Sequence, residues 1–193
     1  MEEDFDKKSD EELVILSIED KANFSYVIER YKDKLRRYIK RLTSTNDEYI
    51  DDILQEIFIK TYINLKGFDP KLKFSSWIYR IAHNESISFY RKNHKHLESV
   101  YYYEDESLES ISDEMNVEVE AHRKEFQKNF SQAINELEQK YKDVIVLKFI
   151  EGKNYDEISD ILKKPPGTIA TRINRAKKKL RENIKKKGFD SYE

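Results

Sequence analysis

Only seven of the 193 residues are Gly or Pro, where ordinary usage would supply roughly 23. Sandwiches, barrels and other turn-rich folds need more breakers than that, so most of the chain must run as helix. The longest purely aliphatic runs are four residues, Leu13 to Leu16 and Val144 to Leu147, against about 20 for a membrane-spanning helix. The first residues are acidic, unlike the basic start and apolar core of a signal peptide. There is no Cys, which excludes disulfides, thiolate metal sites and cysteine nucleophiles and suits a reducing cytoplasm. The expectation is an all-α, cytoplasmic chain with no membrane insertion.

The net charge of −2 hides a strong segregation. Residues 1–20 carry nine acids and two Lys, and residues 98–121 carry nine acids and no Lys or Arg. Residues 163–187 carry eleven Lys/Arg against Glu182, and residues 66–95 carry seven against Asp69 and Glu85. Basic segments on an otherwise acidic chain are the footprint of a phosphate-bearing partner. The acidic stretch has too little apolar area to fold by itself. The pattern therefore predicts two small helical domains, 23–95 and 123–187, joined by an acidic flexible linker at 96–122. An acidic segment (1–22) precedes them and a short tail (188–193) follows. Residues 1–20 themselves suggest no role.

In the first domain Phe24, Val27, Ile28, Tyr31, Leu35, Tyr38, Ile39 and Leu42 recur at helical spacing. Thr43 to Asp47 break the pattern, with Asn46 or Asp47 as the next N-cap. From Glu48 to Leu65, Ile50, Ile53, Leu54, Ile57, Phe58, Thr61, Tyr62 and Leu65 form a broad buried face. Asp52, Gln55 and Glu56 cluster on the opposite surface, which suits either solvent or a basic partner. Gly67-Phe68-Asp69-Pro70 is a turn, and a third helix runs from about Phe74 to Asn93. Around it lie Lys71, Lys73, Tyr79, Arg80, His83, Asn84, Phe89, Tyr90, Arg91 and Lys92. Aromatics stack bases and cations track phosphates, so the set suits single-stranded nucleic acid. Trp77 reads as core.

In the second domain Phe126, Phe130, Ala133, Ile134 and Leu137 make one stripe, and Tyr141 to Phe149 a compact helix stopped by Gly152. Asn154 with Glu157 predicts a capping box for a short helix through Leu162. After Lys163-Lys164-Pro165-Pro166-Gly167, a last helix begins near Thr168, with Ile169, Ile173, Ala176 and Leu180 inward. Short helix, tight turn and basic helix predict a helix-turn-helix. Thr168, Ala170, Thr171, Asn174 and Arg175 would meet base edges, and Lys177, Lys178 and Lys179 phosphates.

Two stretches together resemble a known family. Asp51-Asp52-Ile53-Leu54-Gln55-Glu56-Ile57-Phe58-Ile59-Lys60, with Phe74-Ser75-Ser76-Trp77-Ile78-Tyr79-Arg80-Ile81-Ala82-His83-Asn84, looks like the second domain of extracytoplasmic-function sigma factors. Tyr155-Asp156-Glu157-Ile158-Ser159 through Pro165-Pro166-Gly167-Thr168 to Leu180 looks like their fourth. The resemblance implies binding to bacterial core RNA polymerase and direction to promoter DNA. It places Asp51, Asp52, Gln55, Glu56 and Ile59 on the clamp helices of the largest subunit. Lys71, Lys73, Phe74, Tyr79, Arg80, Asn84 and Arg91 would serve the minus-ten element, with base capture by the loop Gly67 to Phe74. Thr168, Thr171, Arg172, Asn174, Arg175, Lys178 and Lys179 would serve the minus-thirty-five element. The linker would thread toward the RNA exit path, the fourth domain would dock on the flap of the second-largest subunit, and an anti-sigma factor is a family expectation. Two departures stand out: Lys163 and Lys164 replace the Gly and apolar residue common in the turn, and Ala170 replaces a common basic residue.

A stand-alone helix-turn-helix regulator remains an alternative, as does a toxin-type sigma subgroup. An enzyme is disfavoured. His83, His94, His96 and His122 are the only His and lack metal-ligand spacing, and the four Gly form no phosphate loop. His83 beside Glu85 reads as a surface pair. No cofactor and no small-molecule substrate are expected.

Overall fold

The computed structural model of the chain describes residues 5–93 and 128–187. The expected linker 96–122, Phe126, three of the four His and the tail lie outside the described residues. The described residues are all-α, in two helical clusters.

The first cluster opens with α1 (Asp10–Glu19). Ser9 starts it by a capping box: its hydroxyl accepts from Glu12 N at 3.2 Å while Glu12 Oε2 accepts from Ser9 N at 2.7 Å, which satisfies two otherwise orphaned donors. Leu13 and Val14 anchor it in the core. Next is α2 (Phe24–Thr43), whose apolar stripe Val27, Tyr31, Leu35, Tyr38, Ile39 and Leu42 is buried. It ends where Ser44 turns left-handed, at φ 53. Asn46 caps α3 (Asp47–Asn64), its side chain accepting from Tyr49 N at 3.1 Å. A 3₁₀ turn (Leu65–Gly67) leads to the loop before α4 (Phe74–Asn93). Helices α2, α3 and α4 pack around one core, with α1 laid across α2 and reaching α4.

The second cluster holds α5 (128–135), α6 (Gln139–Ile145), α7 (Tyr155–Leu162) and α8 (Pro166–Lys186). Helix α6 widens into a π-type turn over Val146–Ile150, which periodicity did not foretell. Gly152, at φ 66, then lets the chain turn left-handed. The capping box at Asn154 and Glu157 forms as expected. Pro166 sits in the first turn of α8, where its missing N–H costs nothing. Ile158, Ile161, Ile169, Ile173 and Ala176 close the core between α6, α7 and α8.

The two clusters touch. Helix α4 packs against α7, and α2 meets the π-type turn.

Candidate nucleic-acid interface

On α3, Asp51, Asp52, Gln55, Glu56 and Ile59 are all exposed, because Ile50, Ile53, Ile57 and Phe58 take the inward positions. Asp51 is paired with Arg36 of α2. Asp52, Gln55 and Glu56 line one wall of a groove of about 510 Å³ whose other wall is Glu85, Ser88, Phe89 and Lys92 of α4. Lys60 closes it through Glu85 at 2.5 Å. Glu85 is therefore occupied by Lys60, and the His83–Glu85 pair considered from sequence does not form. Ile63, 71% exposed, extends the apolar edge begun by Ile59 one turn further. Sequence reasoning passed over it, although its i+4 spacing from Ile59 was readable.

The loop before α4 is held by short-range bonds. Phe68 N donates to Leu65 O at 3.1 Å, Leu72 N to Asp69 O at 2.9 Å and Lys71 N to Asp69 Oδ1 at 3.0 Å. Lys71 and Lys73 are exposed, as are Asn84 and Arg91, while Arg80 is half-buried. Two residues read as DNA-facing stand elsewhere. The Phe74 ring is fully buried, meeting Tyr31, Phe68 and Trp77 at centroid distances of 5.6, 5.4 and 5.6 Å. An aromatic at the first inward position of α4 fills core before it can stack on a base. Tyr79 is buried too, beneath the second cluster. Trp77 is partly buried against the core, with Phe68 at 5.5 Å.

What buries Tyr79 is a polar seam. Glu151 accepts from Tyr79 Oη at 2.7 Å and from Arg41 at 2.9 Å. Burial pushes the Tyr79 hydroxyl well above the usual phenol range, and Glu151 adds to it. Lys153 sits over the Tyr79 ring at 4.4 Å. Beside them His83 Nε2 lies 3.3 Å from Asp143 Oδ2, and Lys73 lies 3.2 Å from Glu157. Lys142, also buried, approaches Ser44 Oγ at 3.3 Å, and burial lowers its ammonium to about 8. Arg41, Asp143 and Glu151 had no role in the sequence reading, since nothing in one helix's periodicity reports a polar partner from another cluster.

On α8, Thr168, Thr171, Arg172 and Arg175 share one face and, with Gly167, Lys140 and Tyr141, line a shallow basin of about 530 Å³. Thr171, Arg175 and Lys178 are exposed, Thr168 and Arg172 half-buried. The Thr171 hydroxyl donates to Gly167 O at 2.9 Å, leaving its methyl and lone pairs outward. Lys179 is drawn to Glu138 at 3.4 Å. Asn174, exposed, stands roughly a third of a turn from Thr168 and nearly half a turn from Arg172 along the helix circumference. Lys140 is a cation the sequence reading missed. It precedes the apolar part of its helix and so carried no periodic signal.

Comparison with known proteins identifies this arrangement. A model described as sigma-70 region 2 matches residues 27–96, and one described as sigma-70, region 4 matches residues 127–180. The ECF RNA polymerase sigma factor SigW of Bacillus subtilis is 34% identical over 175 residues, covering 86% of this chain and 91% of that protein. The ECF RNA polymerase sigma-E factor of Haemophilus influenzae is 29% identical over 170 residues, covering 86% and 89%. Two solved structures share the fold. One is CnrH in complex with the cytosolic domain of CnrY, at TM-score 0.64, 22% identity and 90% and 95% coverage. The other is the sigma factor RpoE in complex with the anti-sigma factor NepR from Bartonella quintana, at 0.65, 22%, 84% and 97%. The chain belongs to the ECF RNA polymerase sigma factors. It binds RNA polymerase and directs transcription initiation, and it is not an enzyme. Among the described residues no helix is long and apolar enough to cross a membrane, and no group of three His, Cys, Asp or Glu could hold a metal.

Proposed function

We propose that this sigma factor works in the cytoplasm through four surfaces, on domains spanning 23–95 and 123–187. Asp51, Asp52, Gln55, Glu56 and Ile59 of α3 engage the clamp helices of core polymerase. The loop Gly67 to Lys73, with Arg80, Asn84 and Arg91, takes the minus-ten element as melted single strand. Base capture costs a few kcal/mol of unstacking, offset by stacking and by phosphate contacts from Lys71 and Lys73. Phe74 supports that loop from the core and makes no side-chain contact with DNA. Tyr79 becomes available only once the second cluster moves off it.

Helices α7 and α8 act as a helix-turn-helix on duplex minus-thirty-five DNA. The observation that carries this reading is the shared outward face of Thr168, Thr171, Arg172 and Arg175. Arg175 can bond guanine bidentately, and the Thr methyls meet thymine. Lys178, Lys179 and Lys140 hold phosphates, which orients α8 without reading sequence, and Asn174 reaches a neighbouring base or backbone group. On the far side of the domain, Phe130, Ile145, Phe149, Leu180 and Ile184 line an apolar groove of about 430 Å³, rimmed by Lys177, Arg181 and Lys185. Its chemistry suits an apolar segment with acidic flanks, and this is the surface by which the domain would dock on the polymerase flap. The acidic residues 96–122 thread toward the RNA exit path, and an anti-sigma factor controls access to these surfaces.

The test is co-elution of the purified chain with bacterial core polymerase, followed by binding of the complex to a premelted promoter fork. Asp52→Lys with Glu56→Lys should weaken co-elution. Normal complex formation by that double variant sinks the clamp assignment. Tight duplex binding by the chain alone, without polymerase, would favour a stand-alone regulator.

A further inference from the structure

The first turn of α1 carries three consecutive acids, Asp10, Glu11 and Glu12. Acidic residues beside a DNA surface are unfavourable unless each is engaged. Here each has a different partner. Asp10 Oδ1 takes Arg30 at 3.0 Å and its Oδ2 takes the Tyr31 hydroxyl at 2.5 Å. Glu12 closes the capping box on Ser9. Glu11 Oε1 accepts from the backbone N–H of Phe74 at 2.9 Å, across 63 residues of sequence.

Phe74 is the first residue of α4. The residue before it is Lys73, whose side chain has donors and no acceptor, so α4 cannot be capped locally in the usual way. The amides of Ser76 and Trp77 return to Lys73 O at 3.1 and 3.2 Å, which leaves the Phe74 amide to a distant acceptor. Glu11 supplies it, with the added advantage that a carboxylate at a helix N-terminus meets the positive end of the dipole. The bond falls at the junction between the 68–73 loop and α4. The loop's other end is pinned by Phe68 against Phe74 and Trp77. Helix α1 is itself held rigid, with Leu13 and Val14 buried and Arg30 bonded at once to Phe5 O, Lys8 O and Asp10. The region 2 match begins only at residue 27, so α1 lies outside it.

We propose that Glu11 is a positioning residue for promoter reading: it reaches from the acidic N-terminal helix to cap α4 and thereby fixes the loop that receives the minus-ten strand. This rests on the minus-ten assignment made above. Free of that cap, the junction at Lys73–Phe74 samples other conformations, and the strand must reorder the loop as it binds. The cost then appears in DNA affinity while the clamp surface on α3 and the α8 face are untouched.

The experiment uses the full chain assembled with core polymerase. Affinities are measured for a premelted minus-ten fork, for duplex minus-thirty-five DNA and for core polymerase itself. Glu11→Ala should lower fork affinity about tenfold and leave the other two unchanged. Glu11→Gln, which keeps an acceptor oxygen, should restore fork affinity to within about twofold of the parent. Asn84→Ala serves as the control for the minus-ten assignment. If Asn84→Ala loses fork affinity and Glu11→Ala does not, the Glu11 role is wrong and the minus-ten surface stands. If neither variant changes fork binding, the minus-ten assignment fails and takes the Glu11 role with it. Equal loss in all three affinities by Glu11→Ala, or failure of Glu11→Gln to rescue, would make Glu11 a general stabiliser and overturn the proposal.

Discussion

Replacing Glu151 by Ala should open the molecule. The Glu151 and Arg41 side chains are only 8% and 5% exposed, and the carboxylate also accepts from Tyr79. Removing one partner of a buried pair costs about 3–5 kcal/mol, mostly because the remaining charge stays dry. Here that remaining charge has an escape. Arg41 lies on α2 and Glu151 beyond α6, so separating the two clusters returns the guanidinium to water. The penalty therefore falls on closure of the seam and spares the folding of either cluster. Even 3 kcal/mol corresponds to about a hundredfold change in the closed-to-open ratio. The chain has no Cys, so Ile63→Cys and Lys178→Cys, both at exposed positions, allow clean donor and acceptor labelling. Single-molecule distances should lengthen and broaden in Glu151→Ala, and Glu151→Gln, which keeps the Tyr79 bond, should fall between. An unchanged distance distribution together with a lowered Tm would refute the reasoning, because the pair would then be stabilising one cluster from within.

Three further outcomes follow from particular residues. Arg175→Ala should lose about 1–3 kcal/mol of discrimination at the upstream element while still co-eluting with polymerase; intact discrimination in a competition assay would remove Arg175 from base readout. Lys163 holds a left-handed conformation at φ 49, which costs a side-chain-bearing residue roughly 1 kcal/mol or more. Lys163→Gly should accordingly raise stability by about 0.5 kcal/mol after the unfolded-state entropy of Gly is set against the relief, read as a small rise in urea midpoint. Lys142 is buried and its ammonium is lowered to about 8, so above that pH the unfolded chain binds the extra proton. Stability should therefore rise from about pH 8 toward 10 in the parent relative to Lys142→Met, by roughly 3 kcal/mol at most, and a parallel pair of pH profiles would show that Lys142 is not the titrating group. Above pH 10 the stability of parent and variant alike should fall, because burial raises the Tyr31, Tyr38 and Tyr79 hydroxyls and unfolded tyrosines lose protons first.

Local physics made much of this fold readable from sequence. The apolar stripes of α2 and α3 give their inward faces, and Asn46 and the Asn154–Glu157 box give two starts, because capping and periodicity are short-range. The α3 and α8 surfaces were readable for the same reason: a helix with one face buried must expose the other. Phe74 and Tyr79 were misplaced by that logic. Both are aromatics among cations, and a cation-rich neighbourhood does not reveal whether a ring faces strand or core. The seam was invisible because its members are polar. Arg41, His83, Asp143 and Glu151 each look like surface residues in their own segment, and only the meeting of α2 and α4 with the second cluster covers them. Glu11 escaped for a related reason, since a cap supplied from 63 residues away leaves no local pattern.

The seam also bears on how promoter binding must be measured. Lys73, Tyr79 and His83 lie on or just before α4, beside the loop proposed to take the minus-ten strand, and each faces a carboxylate of the second cluster: Glu157, Glu151 and Asp143. A DNA strand that uses Tyr79 can do so only in molecules whose seam is open. Apparent affinity is then the intrinsic affinity scaled by the open fraction. A substitution in the seam that leaves the DNA surface intact can therefore raise fork affinity by no more than the factor by which it raises that fraction. Glu151→Ala provides both quantities, one from distance distributions and one from fork binding by the free chain. A gain in affinity larger than the gain in opening would mean that Glu151 acts on the DNA directly, for instance by charge repulsion, and that burial of Tyr79 is not what limits binding.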